Sequence, residues 1–131
     1  MTADRRERIR AARRRLAEHG PPRTRPLPGD FARVALPRLL GEGVTVDAAF
    51  VDGIHRFHEV FVDLYYLRKL VRPGGLIVLD DFDKPPVRAA IRYFEGNLGW
   101  SALPGVAGPR LRALRLPDTL TEPPFEEFHP F

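Results

Sequence analysis

Cysteine is absent from the chain, so disulfide bonds, thiolate metal sites and cysteine nucleophiles are excluded within it. The same absence favours a cytoplasmic compartment over an oxidising one. No apolar run approaches the roughly 20 residues that a membrane-spanning helix needs. The basic opening of the chain also lacks the apolar stretch of a secretory signal. The sequence therefore predicts a cytoplasmic protein that has no membrane partner.

Positive charge is concentrated near the amino terminus, although the net charge of the 131-residue chain is only +4. The arginines in this stretch are Arg5, Arg6, Arg8, Arg10, Arg13, Arg14 and Arg15. Such a tail can attract nucleic acid without sequence preference. However, no aromatic residues are interleaved with the arginines and no nucleic-acid reading motif is present, which disfavours that partner. We interpret residues 1–29 as a basic, Arg- and Pro-rich arm or linker.

Residues 30–117 have the pattern of an alternating α/β domain. Apolar spacing predicts a short helix capped by Asp30 and interrupted at Pro37, then a strand buried on both faces, a helix, a second strand and another helix. The last four of these are expected at Val46–Val51, His58–Val71, Leu76–Leu79 and Val87–Asn97, with Pro73-Gly74-Gly75 ending the first long helix. Strand–helix–strand–helix order is typical of a right-handed βαβ unit with a parallel sheet.

The end of the chain changes character. Trp100–Leu103 and Leu111–Leu116 are predicted to form a pair of strands joined by a loop rich in glycine and proline. Residues 118–131 are rich in proline and phenylalanine, and we interpret them as a separate C-terminal segment.

Carboxylates follow both strands of the predicted βαβ unit. Asp52 follows the first strand, and Asp80 and Asp81 follow the second. Ligands of open α/β sheets bind beyond the carboxyl ends of the strands. Because neighbouring strands lie about 4.8 Å apart, the three side chains are expected to converge on one small volume. Clustered carboxylates need a cation or a proton to relieve their repulsion, and oxygen-only donors suit magnesium, calcium or manganese.

His55 lies three residues after Asp52, so its imidazole can face the same space and act as a general base near neutral pH. A purely structural role is the alternative, because an aspartate after a strand often caps a helix or tightens a turn. We expect that role for Asp83. For Asp52, Asp80 and Asp81 the pattern alone leaves both interpretations open.

Two strings in this domain resemble class I S-adenosylmethionine-dependent methyltransferases. Val46–His55 resembles the fourth strand of that family, which ends in Asp-Gly with a histidine shortly after. Leu70–Asp81 is similar to the family's helix end, Pro-Gly-Gly turn and fifth strand. The resemblance covers about Asp30 to Leu116. It implies a partial Rossmann-like α/β fold that contains strands four to seven with their flanking helices.

The pattern of acidic residues is most similar to the metal-dependent O-methyltransferases. That resemblance implies a metal site, with magnesium as the expected ion, formed by Asp52, Asp80 and Asp81, and a catalytic base at His55. It also implies S-adenosylmethionine as the methyl donor and a hydroxyl of a small molecule as the acceptor. In such enzymes the metal lowers the pKa of the acceptor hydroxyl.

The chain departs from the family in the half of the fold that binds the cofactor. The glycines upstream of Val46 are Gly20, Gly29, Gly41 and Gly43, and Gly41-Glu42-Gly43 follows a predicted helix and not a strand, so the glycine-rich loop of that half is expected to be missing. Gly29-Asp30 resembles the loop after the third strand, which makes Asp30 the candidate cofactor-binding residue. Without the central first strand, Val46–Val51 is expected to be an exposed edge strand, which invites a homodimer or a partner chain. The sequence thus predicts a methyltransferase or its truncated remnant, or alternatively a non-catalytic methyltransferase-like module that pairs with a partner chain.

Overall fold

The computed structural model describes residues 29–52, 55–105 and 110–131, with side chains from Val34 onward. Its elements in chain order are α1 (Gly29–Gly41), β1 (Val46–Val51), α2 (Phe57–Leu70), β2 (Val71–Leu79), α3 (Pro85–Leu98), β3 (Ser101–Ala102), β4 (Arg112–Arg115) and a short 3-10 helix (Phe125–Glu127). The predicted α/β class is confirmed by these elements.

The four strands of the described residues form one sheet in the order β1-β2-β4-β3. β1 and β2 are parallel, with Val51 opposite Leu79. β4 runs antiparallel to both β2 and β3. The βαβ unit and the closing antiparallel pair that the sequence predicts are therefore both present.

The helices pack on one face of this sheet. α2 contacts α1 on one side and α3 on the other. Its apolar side chains recur at helical spacing, and Val60 and Leu64 are completely buried. On β2, Ile77 and Leu79 face the helices and are buried. Each such side chain stabilises the fold by about 1.5–3 kcal/mol relative to leaving it in water.

The opposite face of the sheet is more open near β1. Phe50 is 56% exposed and Leu76 is 36% exposed. The prediction that Val46–Val51 is buried on both faces is therefore wrong. β1 has β2 as its only neighbour in the described part of the chain, as the expectation of an edge strand requires. Among the described residues, no strand pairs with the outer edge of β1, and Phe50 leaves one of its faces exposed.

The first helix also differs from its prediction. α1 runs without interruption through Pro37 to Gly41, and it begins at Gly29, so Asp30 lies inside its first turn. A proline within a helix removes one hydrogen bond and strains the preceding turn. Here Leu36 and Leu39, on either side of Pro37, are both buried in the core, and this packing holds the helix together.

The sequence analysis predicts that Pro73-Gly74-Gly75 ends α2, but this prediction is wrong, because the three residues lie inside β2. α2 ends at Leu70 and β2 begins at once with Val71. The pairing with β1 slips between Val46 and Ala48, opposite this stretch. Gly74 has a φ of 75°, and a Cβ on Gly75 would lie 2.5 Å from Val71 Cγ1. The two glycines thus form a bulge that allows the β1 backbone to come close.

The C-terminal segment is attached to the helical layer at two places. The side chain of Arg68, buried in the last turn of α2, donates to Glu122 Oε1 at 2.7 Å and to the Thr121 carbonyl at 2.9 Å. Further along, the Asn97 side chain exchanges two hydrogen bonds with the backbone of His129. These contacts bring residues after Pro117 back across α2 and α3.

Candidate functional site

The three predicted aspartates meet at the carboxyl ends of β1 and β2. The Asp80 N–H donates to the Val51 carbonyl at 2.9 Å, which extends the parallel pairing by one residue and brings the two strand ends together. One carboxylate oxygen from each of Asp52, Asp80 and Asp81 lies within 4.8 Å of the other two. We call these three side chains the carboxylate cluster.

Asp81 has the most unusual backbone in the cluster. Its φ is 62°, a left-handed conformation that aspartate adopts more readily than most residues. Its N–H donates to Asp80 Oδ1 at 2.9 Å, and its carbonyl accepts from the Lys84 N–H at 2.9 Å. This turn directs the Asp81 carboxylate inward, where the residue is only 5% exposed.

His55 lies beside the cluster, as predicted. Its Nε2 is 2.7 Å from Asp81 Oδ2, and half of its side chain is exposed. An ionised carboxylate only accepts hydrogen bonds, so the ring donates through Nε2–H and the lone pair of the neutral imidazole lies on Nδ1. The arrangement can therefore accept a proton at Nδ1 while Asp81 holds the ring.

Arg110 completes the site, and sequence reasoning missed it. Its Nη2 donates to Asp81 Oδ1 at 2.7 Å and to Asp80 Oδ2 at 3.4 Å. Because Arg112 of β4 pairs with Leu79, the residues before Arg112 lie opposite those after Leu79. The sequence predicts the antiparallel pair that contains this stretch, but Arg110 can be placed beside Asp81 only when the register of β4 on β2 is known.

The charges around Asp81 set its pKa. Burial raises the pKa of Asp81, but the hydrogen bonds from His55 and Arg110 and their positive charges together outweigh that effect, so the net pKa lies below the usual value. The hydrogen bond to Asp81 in turn raises the pKa of Arg110. Asp81 is therefore ionised at neutral pH and available as a ligand.

The carboxylate cluster fits a hard divalent cation. Opposite ligands lie about 4.2 Å apart around magnesium and about 5 Å apart around calcium, from metal–oxygen distances of roughly 2.1 and 2.5 Å. The 4.8 Å limit within which the three ligand oxygens lie is of the same size. Oxygen is also the donor that such ions prefer.

Two other aspartates named from the sequence do not join the cluster. Asp83 is exposed, and the residue that caps α3 is Lys84, which makes no side-chain capping bond. Of the two structural roles expected for Asp83, capping a helix or tightening a turn, the structure shows the second: Asp83 lies in the turn closed between Asp81 and Lys84. The backbone of Asp30 belongs to α1, but its side chain lies outside the described residues.

A shallow pocket lies at the other end of the sheet. Its lining includes Thr45 before β1, Arg72 and Pro73 at the start of β2, and Pro117 after β4. None of the carboxylate cluster lines it, so this concavity is separate from the acidic site. In the described part of the chain, no helix combines the length and the apolar character needed to cross a bilayer.

Comparison with known proteins identifies the family of this chain. A family model described as a methyltransferase domain matches residues 1–82, more than half of the 131 residues. A comparison with curated proteins gives no significant match. The family match ends just after the carboxylate cluster, so it includes Asp52, His55, Asp80 and Asp81.

Solved structures give the same fold. Two structures of CalS11 resemble the chain, one described as the apo form of a TDP-rhamnose 3'-O-methyltransferase in calicheamicin biosynthesis and the other as a calicheamicin methyltransferase. Each is 21% identical with a TM-score of 0.53 over 64% of this chain. The chain spans only 38% and 34% of those two proteins. At this identity the likeness shows a shared Rossmann-like fold.

Proposed function

Because the chain belongs to the methyltransferase-domain family, we propose that it serves S-adenosylmethionine-dependent methylation of a small-molecule hydroxyl with the assistance of a divalent metal. S-adenosylmethionine is the usual methyl donor of this family. The observation that carries the proposal is the carboxylate cluster with His55 hydrogen-bonded to its buried member. A cytoplasmic location, predicted from the sequence, is part of the same proposal.

Asp52, Asp80 and Asp81 would hold the ion, with magnesium as the first candidate. When bound, the ion supplies a Lewis acid that lowers the pKa of an acceptor hydroxyl. The chain's own contribution is to fix the acceptor between the cluster and His55. Placing the reacting oxygen in line with the methyl group is itself a large part of catalysis in a transfer of this kind.

His55 takes the proton in this proposal. The acceptor oxygen forms a bond to the methyl carbon while the carbon–sulfur bond breaks, and the sulfonium becomes a neutral thioether. The hydroxyl proton passes to His55 Nδ1, the ring nitrogen that does not face Asp81. Asp81 stabilises the resulting imidazolium through the existing 2.7 Å contact.

The acceptor class is suggested by the structural relatives. CalS11 is described as acting on TDP-rhamnose at the 3' oxygen. We propose a sugar hydroxyl as the acceptor of this chain, and TDP-rhamnose is the first compound to assay.

The exposed edge of β1 supports a second part of the proposal, which concerns assembly with another chain. We propose that a further strand pairs with β1, either from a second copy of the chain or from a partner chain that carries the cofactor-binding half of the fold. Phe50 and Leu76 form an exposed apolar patch beside this edge, and natural proteins rarely leave such edges unpaired. The competing candidate is a non-catalytic module that uses the same edge only for assembly.

Calorimetric titration with S-adenosylmethionine, with and without magnesium, tests the proposal. Micromolar binding together with S-adenosylhomocysteine formation from TDP-rhamnose is the expected result. Absence of cofactor binding by a folded chain that self-associates, as judged by sedimentation, would favour the non-catalytic module. Phe50→Lys is the matched variant, since it adds charge to the edge without touching the carboxylate cluster and is expected to weaken self-association.

A further inference from the structure

Arg110 is the arginine that contacts the carboxylate cluster in the described structure. Its guanidinium binds Asp81 Oδ1, while His55 binds Asp81 Oδ2. Both oxygens of the most buried carboxylate therefore already accept a hydrogen bond from a nitrogen donor. Arg110 also reaches Asp80 Oδ2, so the same positive charge bridges two of the three proposed metal ligands.

The attachment of Arg110 leaves its side chain free to move. Its carbonyl accepts from the Phe82 N–H at 2.9 Å, which fixes the backbone beside β2. Its side chain is 46% exposed, in contrast to Arg68, whose side chain is 3% exposed. Arg110 can therefore leave the cluster by rotating its side chain into solvent while the hairpin stays in place.

A divalent cation and this guanidinium are not expected to occupy the cluster together. The guanidinium already contacts the carboxylates of Asp80 and Asp81, two of the three proposed ligands, and like charges a few ångströms apart repel strongly at the partly buried end of a sheet. Resting on the metal-assisted function proposed above, we propose that Arg110 is a displaceable counter-cation of the carboxylate cluster. It neutralises Asp80 and Asp81 when no metal is bound, and metal loading requires it to swing away.

This inference predicts the sign of a change in metal affinity. Removing the positive charge of Arg110 frees the carboxylates and removes the repulsion, so Arg110→Ala is expected to bind Mn²⁺ about tenfold more tightly than the wild type. The same variant is expected to melt at a lower temperature without metal, because Asp80 and Asp81 then lose the hydrogen bonds and the positive charge of the guanidinium. A residue that merely supported the ligands from outside would give the opposite change in affinity.

The experiment is a calorimetric titration of the whole chain with Mn²⁺, paired with melting curves without metal. Arg110→Gln retains a hydrogen-bond donor without charge and serves as the second variant if the alanine variant folds poorly. Arg115→Ala is the control, because Arg115 lies at the far end of β4 from Arg110 and pairs with Asp118 away from the cluster.

The outcomes separate this inference from the proposed function. Tighter Mn²⁺ binding by both Arg110 variants, with Arg115→Ala unchanged, supports the counter-cation role. Equal or weaker binding by the Arg110 variants overturns that role and leaves the metal site standing. No binding by any form overturns the metal site and this inference together, while cofactor binding is tested separately with S-adenosylmethionine.

Discussion

His55 and Asp81 are 26 residues apart in sequence, yet His55 Nε2 lies 2.7 Å from Asp81 Oδ2 across the ends of two neighbouring strands. Asp81 is buried and ionised, whereas the His55 side chain is half exposed. The carboxylate therefore fixes the orientation of the ring, and the other ring nitrogen is left to exchange a proton. In the proposed reaction His55 is the catalytic residue and Asp81 both orients it and belongs to the metal site.

Replacing His55 with alanine is expected to remove turnover and leave the fold intact. A positioned general base contributes about 10²- to 10⁴-fold to rate, so formation of S-adenosylhomocysteine should fall by that factor. The melting temperature should fall only modestly, because Asp81 loses one hydrogen bond but keeps that from Arg110. His58→Ala, an exposed histidine in the first turn of α2, is the control and should retain full activity. Full activity of His55→Ala would show that the base lies elsewhere.

Removing two of the cluster's negative charges tests the metal site directly. Asp80→Asn combined with Asp81→Asn should abolish any rise in melting temperature on addition of magnesium or manganese, since a ligand stabilises only the form that binds it. Asp83→Asn is the matched control, because Asp83 is exposed in the adjoining turn and outside the cluster. An identical metal-induced shift in the double variant and the wild type would rule out this site.

The lowered pKa of Asp81 predicts how stability depends on pH. Between the folded and unfolded pKa values the unfolded chain binds more protons, so stability rises with pH in that range. The contribution of Asp81 is complete above the unfolded value of about 3.9 and is lost as the pH falls through the lower folded value.

Melting temperatures measured below about pH 4 should therefore fall less steeply for Asp81→Asn than for the wild type. Asparagine also tolerates the left-handed backbone at this position, so the variant changes charge more than conformation. Asp118→Asn, in an exposed ion pair with Arg115, should follow the wild type. Parallel acid profiles for Asp81→Asn and the wild type would contradict the assignment.

The convergence of Asp52, Asp80 and Asp81 could be predicted from the sequence because it depends only on topology. Two parallel neighbouring strands place the residues that follow them at one edge of the sheet, whatever the details of packing. The closing antiparallel pair was also predictable from its alternation and its turn residues. What topology could not supply is Arg110, because its position depends on the exact register of β4 on β2.

The errors in the sequence interpretation arise where tertiary contacts override local preference. Pro37 was expected to divide a helix, but buried leucines on both sides keep α1 continuous. The Pro-Gly-Gly sequence was expected to be a helix stop, but the approach of the β1 backbone makes it a bulge within β2. In both places an element distant in sequence decides the outcome: α2 packs against α1 in the first, and the β1 backbone lies beside Gly75 in the second.

Alanine substitutions at two glycines, one in the bulge of β2 and one in α3, are expected to change stability in opposite directions. Gly75→Ala would place a methyl group 2.5 Å from Val71 Cγ1 and 2.7 Å from the Asp47 carbonyl oxygen. Relief requires the β1 backbone to move, so we expect a loss of about 3 kcal/mol in the free energy of unfolding. Gly96→Ala in α3 meets nothing within 4 Å and should stabilise the chain by about 0.5–1 kcal/mol, as alanine does in helices. Denaturant unfolding measures both, and equal effects at the two positions would contradict the close approach.

The ion pair between Arg68 and Glu122 is expected to hold the C-terminal segment against α2. Its guanidinium is buried and its partner Glu122 is mostly exposed, and the hydrogen bond from Arg68 lowers the pKa of Glu122. Because Glu122 faces water, Glu122→Ala should lower the free energy of unfolding by only about 1 kcal/mol. The lost contact is one that attaches the segment to α2, so local opening of the segment should become easier. Chymotryptic cleavage near Phe128 should therefore become about fivefold faster, since it follows local opening. Asp118→Ala, which removes an ion pair with Arg115 nearer the start of the segment, is the control. If Glu122→Ala and the wild type are cut at the same rate, the segment is held by its other contacts, the Asn97–His129 hydrogen bonds and the stacking of Phe131 on Phe57, and not by Arg68.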